Sequence, residues 1–189
     1  MTKTIFKIIL VSLFIYSCQK EKKQDPFEIT HNRIGNLTNE TQIRELDSIF
    51  ANDSIVKREA DDQFLSNTNE IEIYEKGGAK LLVIEAKEDD KPTSTIKSIQ
   101  VIDPRYKTIS GLSPGGTFKD IKDNYRISKI SNTLSAAVIF VESLRAYFTI
   151  DKKGLSRDLQ LTDTGIKIKE SDIPNVSKIK NFWITWDDN

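Results

Sequence analysis

The amino-acid sequence predicts an α+β protein in which antiparallel sheet strands carry two amphipathic helices on one face. Apolar residues recur at helical spacing in two separate stretches, and each stretch is followed by several short strand-like runs. Helices separated by several adjacent strands are typical of an antiparallel sheet, because a parallel sheet needs a crossover between paired strands.

Both predicted helices follow a glycine-containing turn, at 35–38 and at 111–114. The first helix has the apolar series Ile43, Leu46, Ile49 and Phe50, and the second has Phe118, Ile121 and Tyr125. Thr117, followed by Asp120, forms a capping-box pattern at the start of the second helix. The likeness of the two stretches predicts tandem helix-then-strands repeats over 34–103 and 110–186, with chance similarity as the alternative.

The strand-like runs are separated by turn residues. Gly77-Gly78 suits a hairpin turn that needs positive φ, and Asp103-Pro104 ends a strand. A further turn is expected at 151–154. The predicted strands are 27–34, 70–73, 80–86, 96–103, 136–141, 146–150 and 180–186.

The N-terminus resembles a bacterial lipoprotein export signal. Lys3 and Lys7 precede the apolar run 8–16, which is too short to span a bilayer, and Ile15-Tyr16-Ser17-Cys18 resembles the lipobox. We therefore expect a signal peptide at 1–17, lipidation of Cys18, a flexible tether at 18–26 and a single α+β domain at 27–189. An ordinary signal with an incidental cysteine is the alternative.

The lipid is expected to attach the protein to the cell envelope. Gln19 is not aspartate, and by resemblance to lipoprotein sorting rules this predicts the outer membrane of a Gram-negative host. Gln19-Lys20-Glu21 is similar to a surface-export signal of Bacteroidetes, but Lys22 departs from it. The periplasmic face and the cell surface therefore both remain open.

Composition excludes several classes of site. Cys18 is the single cysteine, so a lipidated chain holds no disulfide, zinc–thiolate site or cysteine nucleophile. Without the signal peptide the chain has 26 basic and 28 acidic residues. Because the basic residues are scattered along the sequence, we predict no nucleic-acid binding. We expect no cofactor and no metal. The acidic pairs at 61–62, 89–90 and 187–188 lack the EF-hand order and are interpreted as solvated charges.

Two motifs resemble catalytic patterns and fail on their chemistry. Gly111-Leu112-Ser113-Pro114-Gly115 matches the nucleophile elbow, but Pro114 has no N–H for the oxyanion hole. The single histidine, His31, lies far upstream and is interpreted as a partly buried structural residue. Gly111 and Gly116 have P-loop spacing without the required lysine. No catalytic residue is predicted.

Trp183 is the candidate binding residue. In a strand, Phe182, Ile184 and Trp186 share one face, and Trp183 points to the other. Burial beneath the segment 155–178 is the favoured interpretation, and an exposed binding anchor is the alternative.

Several short stretches together resemble a family of small bacterial lipoproteins of unknown function, which in enterobacteria are regulated by the envelope-stress sigma factor. They are 34–37 with Thr41, 99–104, 111–118, 173–174 with 178–179, and 184–186. Relatives carry cysteines in the second half that this chain lacks. The resemblance implies an envelope lipoprotein and brings no catalytic residues.

We therefore expect a non-catalytic, membrane-anchored module that binds an envelope protein or another envelope component. Two alternatives remain. A small-ligand carrier requires an apolar cavity of several hundred Å³. A carboxylate-based enzyme acting on envelope glycans requires two converging acids.

Overall fold

The computed structural model describes residues 24–58, 70–89, 91–160 and 164–187. The predicted signal peptide, Cys18 and most of the predicted tether lie outside these residues. The described part is an α+β structure of mainly antiparallel strands in two sheets, with a few short helices. The predicted fold class is confirmed at this level. Among the described residues, no helix is both long and apolar enough to cross a bilayer.

The larger sheet has eight strands in the order β4-β5-β6-β7-β12-β11-β10-β9, and every neighbouring pair is antiparallel. Two runs of four consecutive strands meet where β7 pairs with β12. The strands are β4 (Ser54–Arg58), β5 (Glu70–Tyr74), β6 (Lys80–Ala86), β7 (Ile96–Val101), β9 (Lys129–Asn132), β10 (Ala136–Val141), β11 (Ala146–Asp151) and β12 (Asn181–Thr185).

The smaller sheet has the order β3-β2-β1-β8, and its β1–β8 pair is parallel. Its strands are β1 (Glu28–Thr30), β2 (Arg33–Ile34), β3 (Leu37–Thr38) and β8 (Lys107–Thr108). Gly35 has φ +55°, and a Cβ there would lie 2.2 Å from the carbonyl oxygen of Pro26, so glycine is required. The predicted strand 27–34 is therefore wrong as one element, because the chain turns after Thr30 and pairs with itself.

The helices are shorter than predicted. They are α1 (Leu46–Ile49), which follows a 3₁₀ turn at Ile43–Glu45, then α2 (Phe118–Asn124) and α3 (Arg157–Gln160). Thr117 caps α2 as expected, since its hydroxyl accepts from the Asp120 N–H and Asp120 Oδ2 accepts from the Thr117 N–H at 2.8 Å. Leu46, Phe118 and Ile121 are buried in the hydrophobic core.

The core covers one face of the larger sheet. Cross-strand pairs such as Ile84–Ile99 and Ile99–Ile184 place buried side chains on the same face of successive strands. At the centre, the fully buried rings of Phe148 and Phe182 lie 4.5 Å apart. Burying such a ring contributes about 2–3 kcal/mol, and the strand alternation is what directs both rings inward.

We predict that Phe182→Ala lowers the free energy of unfolding by about 3–5 kcal/mol, because it leaves a cavity beside Phe148. Urea denaturation checks this value. Val176→Ala, at an exposed loop position, is the control and should change stability by less than about 0.5 kcal/mol. A loss below about 1 kcal/mol for Phe182→Ala contradicts a core at this position.

Candidate functional site

The face of the larger sheet opposite the core is the candidate site, and we call it the open face. Successive residues of a strand point to opposite faces. Phe182 and Ile184 point into the core, so Trp183, which lies between them, points to the open face. Antiparallel sheets commonly pack one face and leave the other in water.

Three aromatic side chains form a row across the middle of the open face. Cross-strand register pairs Phe140 with Tyr147 and Tyr147 with Trp183. Their ring centroids are 5.8 Å and 5.9 Å apart, and the Tyr147 and Trp183 rings are parallel within 7°. We call these three residues the aromatic row. All three are half-buried, so each keeps part of its ring in contact with solvent.

Polar side chains border the aromatic row. Gln100 is opposite Trp183 on β7, and its Nε2 donates to Asn181 Oδ1 at 3.0 Å. Asn181 Nδ2 in turn donates to Thr149 Oγ1 at 2.9 Å. On the next pair of strands, Ser98 Oγ donates to Glu85 Oε2 at 2.6 Å. The row therefore has hydrogen-bonding groups along one end.

A buried carboxylate lies further along the same face, at Glu72, which is 4% exposed. It accepts from Lys80 Nζ at 2.7 Å and from the Tyr74 hydroxyl at 2.6 Å, and Arg58 Nε lies 3.0 Å away. Burial alone raises the pKa of Glu72, but these hydrogen bonds outweigh it and lower the pKa to about 2. Glu72 is thus a fixed negative charge matched by neighbouring cations.

Trp183, the predicted binding residue, lies at the centre of this arrangement. Four described apolar side chains of the segment predicted to cover it belong to the hydrophobic core, and they are Leu155, Leu159, Ile168 and Ile173. Tyr147 and Phe140 were not predicted from the sequence. The alternation of apolar residues in 136–141 and 146–150 places both side chains on the face opposite the core. No local sequence pattern, however, shows that β12 pairs with β11.

The motifs rejected on chemical grounds have structural explanations. Ser113 lies in the loop between β8 and α2, where its carbonyl accepts from the Gly116 N–H at 2.9 Å. His31 is exposed, contrary to the partly buried position expected, and its Nδ1 lies 3.0 Å from the Ser143 carbonyl oxygen. It connects the smaller sheet to the turn between β10 and β11.

A second candidate site lies at the edge of the larger sheet. It is a cavity of about 300 Å³ beside the ends of β4, β5 and β6, and its lining residues Arg58 and Glu70 adjoin the Glu72 end of the open face. Charged side chains such as Arg44 and apolar ones such as Ile43 both line it, so the cavity is mixed in character. Among the described residues, no group of three or more His, Cys, Asp or Glu side chains is placed to hold a metal ion.

Comparison with solved structures finds a similar fold in the uncharacterized protein YfeY from Escherichia coli. The TM-score is 0.53 at 17% sequence identity, and the match covers 84% of this chain and 99% of that chain. At this identity the likeness concerns the fold alone. No family model matches the chain, and no curated protein does.

We predict that Glu72 makes stability sensitive to acid. Its pKa is lower in the folded protein than the ordinary 4.5, so the unfolded state binds the proton more readily. Stability is therefore fully present above pH 4.5 and falls as the pH drops toward 2, by on the order of 3 kcal/mol from this group. Urea unfolding at several pH values measures it.

The Glu72→Gln variant should lose most of this pH dependence, whereas Glu40→Gln, at an exposed loop position, should follow the wild type. Parallel pH profiles for wild type and Glu72→Gln contradict the assignment.

Proposed function

We propose that this protein is a non-catalytic envelope lipoprotein that binds a partner through the open face while a lipid on Cys18 holds it at the membrane. The observation that carries the proposal is the aromatic row. Monomeric soluble surfaces rarely leave several large rings side by side, and exposed aromatic clusters are typical of interaction sites.

The charge states of the carboxyl groups favour a binding function over a catalytic one. Among the described residues, the carboxyl groups with displaced pKa values are Glu72, Glu75, Asp103, Asp120 and Asp151, and the pKa of each is lowered. A glycosidase acid needs a raised pKa so that it stays protonated until it donates. These carboxylates are held as anions, mainly by hydrogen bonds from basic side chains and backbone N–H groups, so they suit structural roles.

The tether limits where the partner lies. Gln24 Nε2 donates to the Gly35 carbonyl at 3.1 Å, so the chain is already attached to the smaller sheet at this point. Gln24 is six positions after Cys18 in the sequence, a reach of about 20 Å when the chain is extended. A lipid on Cys18 therefore keeps the domain against the bilayer, in this proposal the outer membrane, and its partner is a component of the envelope.

The proposal includes a finer architecture, in which 34–103 and 110–186 are copies of one unit and both helices pack on one face. Each copy contains a short helix followed by four consecutive strands. The last strands of the copies, β7 and β12, pair with each other through Ile99–Ile184 and Val101–Phe182. Membership of the envelope-stress lipoprotein family belongs to the same proposal.

In-cell photo-cross-linking tests the binding surface. We place p-benzoylphenylalanine at Phe140, where it replaces one ring of the aromatic row with a larger one, and irradiate intact cells of the natural host. The expected result is a discrete adduct that is weakened strongly by Trp183→Ala. The mass of the adduct separates a protein partner from a glycan.

The same cross-linker at Ile109, an 83% exposed loop residue, is the position control and should give no such adduct. Cys18→Ser tests the anchor separately, because it should move the protein from the membrane to the soluble fraction. Equal adducts from both positions, or none from Phe140, overturn the binding role of the open face.

A further inference from the structure

Two acceptor groups near Trp183 are not fully used by the described residues. Gln100 uses one Nε2 N–H for Asn181 Oδ1, and its amide oxygen accepts no hydrogen bond from a described residue. Glu85 accepts one hydrogen bond, from Ser98, and its second carboxylate oxygen has no partner among the described residues. A ligand that lies on Trp183 therefore meets oxygen atoms that can receive hydrogen bonds.

Glu85 also carries a charge that its surroundings do not neutralise. Register places it directly opposite Glu70 on β5, and adjacent carboxylates repel each other. The nearby cations Arg58 and Lys80 pair with Glu72 instead. In the part of the chain that the structure describes, no cationic side chain lies within ion-pair distance of Glu85.

The negative charge reaches the aromatic row. Burial raises the pKa of the Tyr147 hydroxyl, and the Glu85 carboxylate raises it further. Register supports this, because Glu85 pairs with Ser98 and Ser98 pairs with Thr185, which lies two residues from Trp183 on the same face of β12. Three strand spacings separate the backbones of Glu85 and Tyr147, and Trp183 lies between them.

Two other aromatic rings of this protein, one of them in the aromatic row, already lie close to cations. Lys129 Nζ lies 5.6 Å from the centre of the Phe140 ring, and the Arg105 guanidinium lies 4.7 Å from that of Phe27. Trp183 is the ring type that attracts cations most strongly. Among the described residues no cation lies over it, so its electronegative face is available.

We propose that Trp183, Tyr147, Gln100 and Glu85 form a receptor for an arginine side chain of a protein partner. This inference rests on the proposed function and names the chemistry of the partner. A planar guanidinium stacks on an indole while its N–H groups point sideways toward carboxylate and carbonyl oxygens. A lysine ammonium matches this geometry less well, and a neutral glycan gains nothing from the charge of Glu85.

Two short acetylated and amidated peptides test the proposal, one with arginine and one with citrulline, its neutral isostere, at the centre. They are titrated into the detergent-solubilised full chain at 0.15 M salt. The chain has two tryptophans, so NMR of the two indole N–H groups reports on Trp183, with buried Trp186 as internal reference. Trp183→Phe assigns the signals.

The arginine peptide should shift the Trp183 signal with at least about tenfold higher affinity than the citrulline peptide. Glu85→Gln should remove about that factor for arginine and leave citrulline unchanged. Glu40→Gln, which removes the same charge away from the open face, should leave both affinities unchanged. The comparison of peptides on the wild-type chain does not depend on how any variant folds.

Equal affinities for the two peptides, an unaffected Glu85→Gln, or no saturable shift with either peptide overturns the arginine receptor. A Trp183 shift caused by a neutral chito-oligosaccharide, with no preference for arginine, assigns the surface to glycans instead. If Phe140 still cross-links in cells while the peptides fail, the binding function stands and this inference falls. If Phe140 does not cross-link, the proposed function falls independently.

Discussion

One-sided burial of β11 and β12 within a wide antiparallel sheet is the constraint on which the open face depends. Side chains along these two strands alternate between the buried core and the half-buried open face, whereas the middle of β6 is buried on both faces. A shift of one residue in β12 would expose Phe182 and Ile184 and turn Trp183 toward the core. The alternation that stabilises the core is therefore the same feature that holds Trp183 outward.

The open face divides into two regions with different electrostatics. At one end, Glu72 is buried with Lys80 and Arg58, so charge is balanced within the protein. Around Trp183, the Tyr147 ring stacks on the indole, and Glu85 has no cationic partner among the described residues. Solubility alone does not explain stacked rings beside a carboxylate that no described cation pairs with. In the proposed complex, the rings and this carboxylate together recognise the arginine side chain of the partner.

Local patterns predicted much of the fold but not its pairing. The Gly77-Gly78 hairpin, the β10–β11 hairpin and the strand at 180–186 are confirmed, because turn residues and alternation lie within a few positions of one another. The contact of β12 with β7 joins residues about 80 positions apart and leaves no local trace. For Trp183, the alternation of the strand predicted the correct face, but the path of 155–178 depends on packing with the core and has no local sequence pattern.

The accessibility of the open face, compared between the isolated protein and the native membrane, tests the proposed binding role most directly. With Cys18 acylated, a cysteine introduced by Val138→Cys on the open face is the single thiol of the chain. A maleimide should label it readily in the isolated lipoprotein and several-fold more slowly in unsealed native membranes, where a partner covers it, while Ile109→Cys reacts equally in both. Equal labelling of Val138→Cys in both preparations would contradict the claim that this face is occupied in the envelope.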